Sequence, residues 1–233
     1  MSTMVNIGDR SPERARQDYV KVIFLLGQDG PVHAADVART LGVTRASVSK
    51  FKRLLEREGL LAPSRRTTDA LQLTRRGQTL ALRMVRRHRL VETFLHKTLR
   101  VPLERVHSEA ERIEHAISDD ISARLAGFLD HPRTDPHGHR IPRGGVRAIA
   151  TTGRPLRSVT AGHTVVITRI DDRSAALVRT LARHGVLPGA RARVTTISSA
   201  GMRIVIKRRA HVIPWRTAGA VHCIVTTGRQ EVA

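Results

Sequence analysis

The sequence predicts a mainly α-helical chain that ends in a small β domain. Between residues 13 and 129, apolar residues recur at the spacing of amphipathic helices, and glycines interrupt the pattern. After about Leu156, runs of β-branched residues separated by glycine or proline are typical of short strands. Residues 131–145, rich in proline, glycine and histidine, lie between the two patterns and indicate a structured loop followed by a linker.

The composition indicates a polyanionic partner and a core with few aromatic residues. Of the 233 residues, 40% are hydrophobic but only 3% are aromatic, so aliphatic side chains must build the core. The formal net charge of +21 favours nucleic acid as a partner. A GC-rich genome, which enriches protein surfaces in arginine, would also make the net charge more positive. The single cysteine, Cys223, excludes an intramolecular disulfide and a cysteine-based zinc knuckle.

The sequence shows neither of the two apolar signals that would predict export or insertion into a membrane. The first residues lack the apolar segment of a signal peptide. No stretch approaches the roughly 18 apolar residues that a membrane-spanning helix requires. We therefore expect a cytoplasmic protein with no membrane partner.

The N-terminal third predicts a winged helix-turn-helix. Helical periodicity covers residues 13–26 and 34–41, which end at Gly27 and Gly42. Thr44 is a candidate N-cap for the next helix, residues 45–58. Residues 60–74 are typical of two short strands around a turn, which would form the wing.

The second helix of this motif has a polar start that could reach the edges of bases in a major groove. Arginines farther along the helix and in the wing could bind phosphates without reading sequence. The alternative is an αα-hairpin with a solvated basic face, and the net charge favours DNA. The expected DNA-binding residues are Thr44, Arg45, Ala46, Ser47, Ser49 and Lys50 for the bases, and Arg53, Arg65 and Arg66 for the phosphates.

Two longer helical segments and a β domain follow the wing. The helices are expected at residues 75–99 and 103–129. Strands expected at 164–170, 191–197, 202–206 and 221–225 would form a small β-barrel, into which one helix, residues 174–184, is inserted. The predicted organisation is a DNA-binding domain at 1–75, a helical domain at 76–142, a linker at 143–155 and the β domain at 156–233.

An acidic segment, residues 104–120, stands out in this basic chain, with six acidic and two basic residues. Glu111, Glu114 and His115 have i, i+3, i+4 spacing, which on a helix places their side chains on one face. Two histidine–glutamate pairs also have i, i+4 spacing, namely His107–Glu111 and His88–Glu92. Helices that offer carboxylates and imidazoles to each other build divalent metal sites in helix bundles. A solvated acidic face paired with nearby arginines explains the spacing equally well.

Five motifs follow one another along residues 15–142, namely RQDYVKVIFLL, the helix-turn-helix, RRHRLVETFL, VHSEAERIEHAISDD and HPRTDPHGHRIP. In these motifs and in their order, the segment resembles the diphtheria toxin repressor family of iron- and manganese-dependent repressors. The segment from Leu156 to Val225 resembles the FeoA-like, SH3-like barrel at the C-terminus of longer members. The resemblance implies a winged helix-turn-helix, a helical metal-binding and dimerisation domain, and a C-terminal SH3-like β-barrel.

The resemblance also implies two metal sites. The iron-responsive branch has Met and Cys at the positions of Asp18 and Glu111, whereas this chain has oxygen ligands at both, as the manganese-responsive branch does. Small manganese regulators have a further Glu at the position of Lys21, so their two-metal arrangement does not carry over directly. His131 and His139 are expected to form hydrogen bonds within their loop. The implied ligands are Asp18, Glu111, Glu114 and His115 for the primary site, His88, Glu92 and His107 for the second, and Asp135, His137 and Asp172 as further ligands of the second.

The function implied by the resemblance is repression of metal-homeostasis genes. A homodimer would bind a palindromic double-stranded DNA operator when Mn(II), or alternatively Fe(II), is bound, with no enzymatic activity and no small organic substrate. The metal would join Asp18 to the acidic helix and hold two DNA-reading helices at one spacing. Two other classes stay open: a carboxylate-bridged dimetal redox enzyme, and a metal-independent nucleic-acid-binding protein.

Overall fold

A computed structural model describes residues 11–63, 70–143 and 153–226 of the chain. The chain divides into two compact units. The first contains the described residues up to His88, together with Ile113–Arg124 and residues 142–143. The second contains Arg89–Arg112, Leu125–Ile141 and the described residues from Gly153 onward. Among the described helices, none is both long enough and apolar enough to cross a bilayer.

The first unit begins with three helices whose ends are set by local capping. Helix α1 (Pro12–Leu26) has proline in its first turn, and α2 (Ala34–Leu41) ends at Gly42, which has a φ of 67°. The hydroxyl oxygen of Thr44 accepts a hydrogen bond from the backbone N–H of Ser47 at 3.1 Å and starts α3 (Arg45–Arg57). The predicted helices therefore agree with the structure to within one residue at each end.

Aliphatic side chains of these three helices and of the following segments share one core. Val20 on α1, Val37 on α2 and Leu55 on α3 are all fully buried in it. Tyr19 on α1 stacks on Phe51 on α3, with ring centroids 4.4 Å apart. This core fixes α1 against the helix that is expected to read DNA.

Only the base of the predicted wing falls within the described residues. Leu61 and Leu73 form an antiparallel bridge there. The turn expected between them, with Arg65 and Arg66, lies outside the described residues.

Helix α4 (Arg75–Lys97) runs unbroken through a predicted helical segment, but the next segment is divided. The prediction of one helix over residues 103–129 is wrong. Helix α5 (Leu103–Ile113) is followed by a 3₁₀ turn (Glu114–Ala116) and then by α6 (Asp119–Phe128). The break occurs because Ser118 accepts a hydrogen bond from the backbone N–H of Ile121 at 3.2 Å and begins a new helix. Two aspartates in the first turn of α6 favour the same start.

The C-terminal part of the second unit is a six-stranded antiparallel sheet. Its strands are β1 (Arg154–Pro155), β2 (Thr164–Ile170), β3 (Arg191–Ser198), β4 (Gly201–Ile206), β5 (Arg209–Ile213) and β6 (Val221–Thr226), in the order β1-β6-β2-β3-β4-β5. Helix α7 (Ala175–Arg183) joins β2 to β3, and α8 (Trp215–Gly219) joins β5 to β6. Apolar side chains such as Val165, Val194 and Ile204 are fully buried on the inner face.

Strand β5 was not predicted, although it pairs with β4 along its whole length. The turn between these strands consists of Lys207 and Arg208, which both have positive φ, 47° and 66°. Hairpin turns of this kind favour Asn-Gly or Asp-Gly, so two basic residues gave no turn signal.

Candidate metal centres and nucleic-acid interface

The first cluster of potential metal ligands, in the first unit, consists of Asp18, Glu114 and His115. Asp18 lies on α1, and the other two lie on the 3₁₀ turn. One ligand atom of each residue lies within 4.8 Å of the others. The Nε2 atom of His115 is 3.0 Å from Asp18 Oδ1 and 3.5 Å from Glu114 Oε1. Two carboxylates and an imidazole, largely shielded from water, suit a divalent cation such as Mn(II) or Fe(II).

Glu114 is fully buried and contacts two potential cations. Its Oε1 atom lies 2.5 Å from Lys21 Nζ, and its Oε2 atom lies 2.6 Å from His88 Nδ1. Burial raises the pKa of Glu114, but Lys21 and His88 outweigh the burial and lower that pKa to about 2. Glu114 is therefore a carboxylate at neutral pH, as a metal ligand must be.

The orientation of His115 is set by Gln17, a residue for which no motif or spacing predicts a role. Gln17 Oε1 lies 2.8 Å from His115 Nδ1, and Gln17 Nε2 donates to Glu13 at 3.4 Å. With the amide oriented this way, Gln17 Oε1 accepts from the N–H at Nδ1 of His115. This leaves Nε2, the ring nitrogen nearest to Asp18, as the His115 atom that a metal ion would bind.

The family resemblance implies Glu111 as a primary ligand, and its helical spacing with Glu114 and His115 predicts that the three side chains share one helix face. That spacing argument fails because α5 ends at Ile113, before Glu114. The structure places Glu111 Oε1 3.7 Å from His107 Nε2, and the Glu111 side chain is 54% exposed. Its role as a ligand stays a prediction.

The second cluster lies in the second unit and combines residues of α4, α5, the histidine-rich loop and the segment that follows β2. Two groups of ligand atoms share Asp172: Glu92 with His137, and Asp135 with His139. Asp172 Oδ2 lies 3.8 Å from Nδ1 of His137 and 3.4 Å from Nδ1 of His139. The cluster consists of Glu92, His107, Asp135, His137, His139 and Asp172.

His107 and His139 belong to this cluster by distance. Nδ1 of His107 is 3.1 Å from Glu92 Oε1 and 3.6 Å from Asp172 Oδ2. Nδ1 of His139 is 3.3 Å from Asp135 Oδ2. His139 had been expected only to form loop hydrogen bonds, and no sequence spacing links it to Asp172.

The protonation of His137 indicates that the second cluster needs positive charge. His137 Nε2 lies 3.2 Å from the Leu103 carbonyl oxygen, to which its N–H donates. Its Nδ1 is buried and has no hydrogen-bond partner among the described residues. Burial lowers the pKa of His137, but carboxylates led by Glu92 outweigh it and raise that pKa to about 9. A proton thus occupies a position that a metal ion could take, so the residues fit a cation.

Backbone geometry holds the loop of this cluster in place. Asp135 Oδ1 accepts from the backbone N–H groups of His137 and His139, each at 2.9 Å. Gly138 has a φ of 90°, and a Cβ there would lie 2.0 Å from the Thr168 carbonyl oxygen. Only glycine fits at this position.

The predicted DNA-reading surface is the start of α3. Arg45, Ala46, Ser49, Lys50 and Arg53 are exposed there, whereas Val48 and Leu55 face the core. The hydroxyls of Thr44 and Ser47 lie 2.9 Å apart at the helix cap. A recognition helix requires this arrangement of a buried apolar face and an exposed polar start, and the DNA-binding role of these residues stays a prediction.

Comparison with known proteins places this geometry in a family. The family model described as iron dependent repressor, metal binding and dimerisation domain matches residues 74–143, and the FeoA domain model matches residues 154–224. The iron-dependent repressor IdeR of Mycobacterium tuberculosis is 34% identical over 220 residues, which cover 87% of this chain and 94% of that protein. The chain belongs to the family of iron- and manganese-dependent transcriptional repressors.

Solved structures agree with the fold of this repressor. A manganese-dependent transcriptional repressor in complex with manganese is 33% identical, with a TM-score of 0.81, and the match covers 91% of this chain and 100% of that one. The manganese regulator SloR is 26% identical, with a TM-score of 0.74 and coverage of 91% and 98%. The predicted fold class is confirmed by these likenesses.

Proposed function

We propose that this repressor binds a double-stranded DNA operator through α3 when a divalent metal ion joins Asp18 to Glu114 and His115. The observation that carries the proposal is the convergence of ligand atoms from α1 and from the 3₁₀ turn. The two parts of this cluster are more than 90 residues apart in sequence, so an ion bound there restrains their separation. Positive charge from the ion would offset the repulsion between the two carboxylates.

The path from the metal to the DNA-reading helix is short. Asp18 is followed on α1 by Tyr19, which stacks on Phe51 of α3. Because α1 and α3 share one core, an ion that holds α1 also restricts α3. We expect the metal to strengthen DNA binding by about 1–3 kcal/mol, which is 5- to 150-fold, the usual range of coupling between two sites.

The ligand chemistry favours Mn(II), with Fe(II) as the alternative. Both clusters offer oxygen and nitrogen atoms, and the only cysteine, Cys223, is buried in the sheet of the second unit. Hard and borderline donors suit these two ions, whereas thiolates would favour softer ones. The names of the similar proteins are divided in the same way, between iron and manganese.

We propose that the second cluster binds a further ion.

We propose a homodimer that acts on a palindromic operator of metal-homeostasis genes and has no catalytic activity. The matched family model includes dimerisation in its description. In the second unit, Leu99 and Phe128 are 57% and 67% exposed, which is the kind of apolar surface that a partner subunit covers. A dyad-symmetric dimer would place its two recognition helices in successive major grooves.

Metal-dependent DNA binding tests the proposal directly. Duplexes selected from a random library by the manganese-loaded protein would be titrated with protein in Mn(II) and in chelator. Chelator should weaken binding 5- to 150-fold. The Asp18→Asn variant should bind equally weakly in both, whereas Asp29→Asn, an exposed carboxylate in the turn after α1, should behave like the parent.

Calorimetry with Mn(II) alone separates metal binding from DNA binding. The parent should bind the ion, and Asp18→Asn should lose one site. Equal DNA affinity with manganese and with chelator would leave a metal-independent nucleic-acid-binding protein. Turnover of oxygen or peroxide by the metal-loaded protein would instead favour the redox enzyme.

A further inference from the structure

The C-terminal sheet has an uneven charge distribution. From Arg173 to Thr226 the sequence contains ten Lys and Arg residues but no Asp or Glu, although the whole chain contains 20 acidic residues. Surfaces that are only meant to stay in water normally intersperse both signs. A surface of one sign favours binding of a polyelectrolyte of the opposite sign.

Strand register places three of these cations on one face of the sheet, and three more lie at the β4–β5 end of the same strands. Arg191 and Arg193 on β3 are exposed and two residues apart, while Ala192 between them is buried. Arg203 on β4 is exposed between two buried neighbours, Met202 and Ile204. All three arginines therefore point away from the core. The β4–β5 turn adds Lys207 and Arg208, and the first residue of β5 adds Arg209; all three are exposed.

These six side chains have no acidic partner in the part of the chain that the structure describes. Other cations of the same unit do: Arg173 pairs with Asp171, and Arg179 Nε lies 3.4 Å from Glu104 Oε1. Between the arginines the outer face presents small or apolar side chains such as Ala210 and Val212, which leave the positive charges unobstructed. The three strands span about 10 Å across the sheet, enough for several phosphates.

We propose that the outer face of β3, β4 and β5 is a second DNA-contact surface, which binds phosphates of duplex DNA without reading base sequence. The inference rests on the proposed function only in the choice of duplex DNA among polyanions. DNA held by α3 raises the local concentration of phosphate around the same molecule. Phosphate contacts of this kind add affinity and salt dependence but no specificity.

The test compares two triple variants of the full chain. The first replaces the face, as Arg191→Gln/Arg193→Gln/Arg203→Gln. The matched control, Arg157→Gln/Arg183→Gln/Arg216→Gln, removes the same charge from other positions of the same unit. Both variants and the parent would be titrated with a random-sequence 40-base-pair duplex, in Mn(II) and in chelator, at several salt concentrations. Thermal melting would show that both variants stay folded.

Each phosphate contact contributes about 0.9 to the slope of log affinity against log salt. The face variant should therefore have a slope smaller by about 2–3. If all three arginines contact phosphates, the parent should lose about 40-fold more affinity than this variant between 50 and 200 mM salt. The control variant should keep nearly the parent slope.

Equal slopes for the parent and the face variant would overturn the proposal, and so would equal losses in the two triple variants. A face variant that binds duplexes normally but loses affinity for vesicles of anionic lipid would assign the surface to membranes instead. Failure of the proposed metal response would be seen separately, as equal affinity of the parent in Mn(II) and in chelator. The difference in slope would still be measurable in that case.

Discussion

Replacement of Lys21 by methionine tests whether the first cluster depends on an internal cation. The Lys21 side chain is 8% exposed, Glu114 is fully buried, and their charged atoms are 2.5 Å apart. Methionine is similar in length and apolar, so Lys21→Met removes the charge with little change in packing. It leaves a buried carboxylate with His88 as a remaining neighbour, at 2.6 Å.

The expected loss of stability is large. Removal of one partner from a buried ion pair typically costs about 3–5 kcal/mol, and His88 should hold the cost near the lower end. For a chain of this size, each kcal/mol lowers Tm by about 2–4 °C, so a cost of about 3 kcal/mol predicts a fall of about 6–12 °C. Thermal melting in chelator, followed by circular dichroism, measures the fall.

Metal should reverse most of this loss. A divalent ion bound by Asp18, Glu114 and His115 supplies the positive charge that Lys21→Met removes. Saturating Mn(II) should therefore raise Tm more in the variant than in the parent, because binding to the folded state alone stabilises it. Calorimetry should show that the variant still binds the ion.

The control is Arg16→Met on the same helix. Arg16 pairs with Glu58 at 3.2 Å, but both side chains are about 30% exposed. Pairs of this kind contribute roughly 0–1 kcal/mol, so the control should melt within a few degrees of the parent. If Lys21→Met melts in chelator at the same temperature as this control, the buried pair does not stabilise the metal-free protein and the reasoning fails.

Three further perturbations follow from the structure. Gly138→Ala should abolish ion binding at the second cluster, whereas Gly189→Ala, also at positive φ but with no atom within 4 Å of the new Cβ, should retain it; calorimetry measures both. Phe51→Leu should lower the metal-induced gain in DNA affinity, because it removes the stacking on Tyr19, while leaving metal affinity unchanged. Burial, and then His184 and Arg209, lower the pKa of His211 in the folded protein. The folded state therefore favours the neutral imidazole, and the stability of the protein falls as the pH drops below the pKa of His211 in the unfolded chain. Between pH 7 and pH 5 the parent should therefore lose more thermal stability than His211→Gln.

Local signals predicted α1, α2, α3, α4 and α7 and four of the six strands of this repressor. Gly42 and Thr44 set the turn of the helix-turn-helix through backbone conformation and capping, which depend on adjacent residues alone. The same kind of signal was available at Ser118, where Asp119 and Asp120 favour a helix start, but apolar periodicity across the break concealed it. The hairpin turn at Lys207 and Arg208 carried no such signal.

The candidate ligands were selected by residue type and by resemblance, and the groups around them were not. Gln17, Lys21 and Arg89 are ordinary surface residues by composition, and each is buried against a cluster. Arg89 Nε lies 3.7 Å from Asp135 Oδ2, although 46 residues separate them. Contacts between residues so distant in sequence follow from the tertiary fold, which no spacing pattern within one helix contains.

The internal cations also change what the metal clusters mean physically. A group of carboxylates in a sequence predicts repulsion that a cation or a proton must relieve. In the structure, Lys21 already compensates Glu114. The pKa of His137, raised to about 9 against the effect of burial, favours an imidazolium beside Glu92 and Asp172 at neutral pH. A bound ion must therefore replace or outcompete charges that the protein supplies itself. Affinity for the metal then depends on these compensating groups as much as on the ligands. For this reason, Lys21→Met is more informative than a variant that removes one of the ligands.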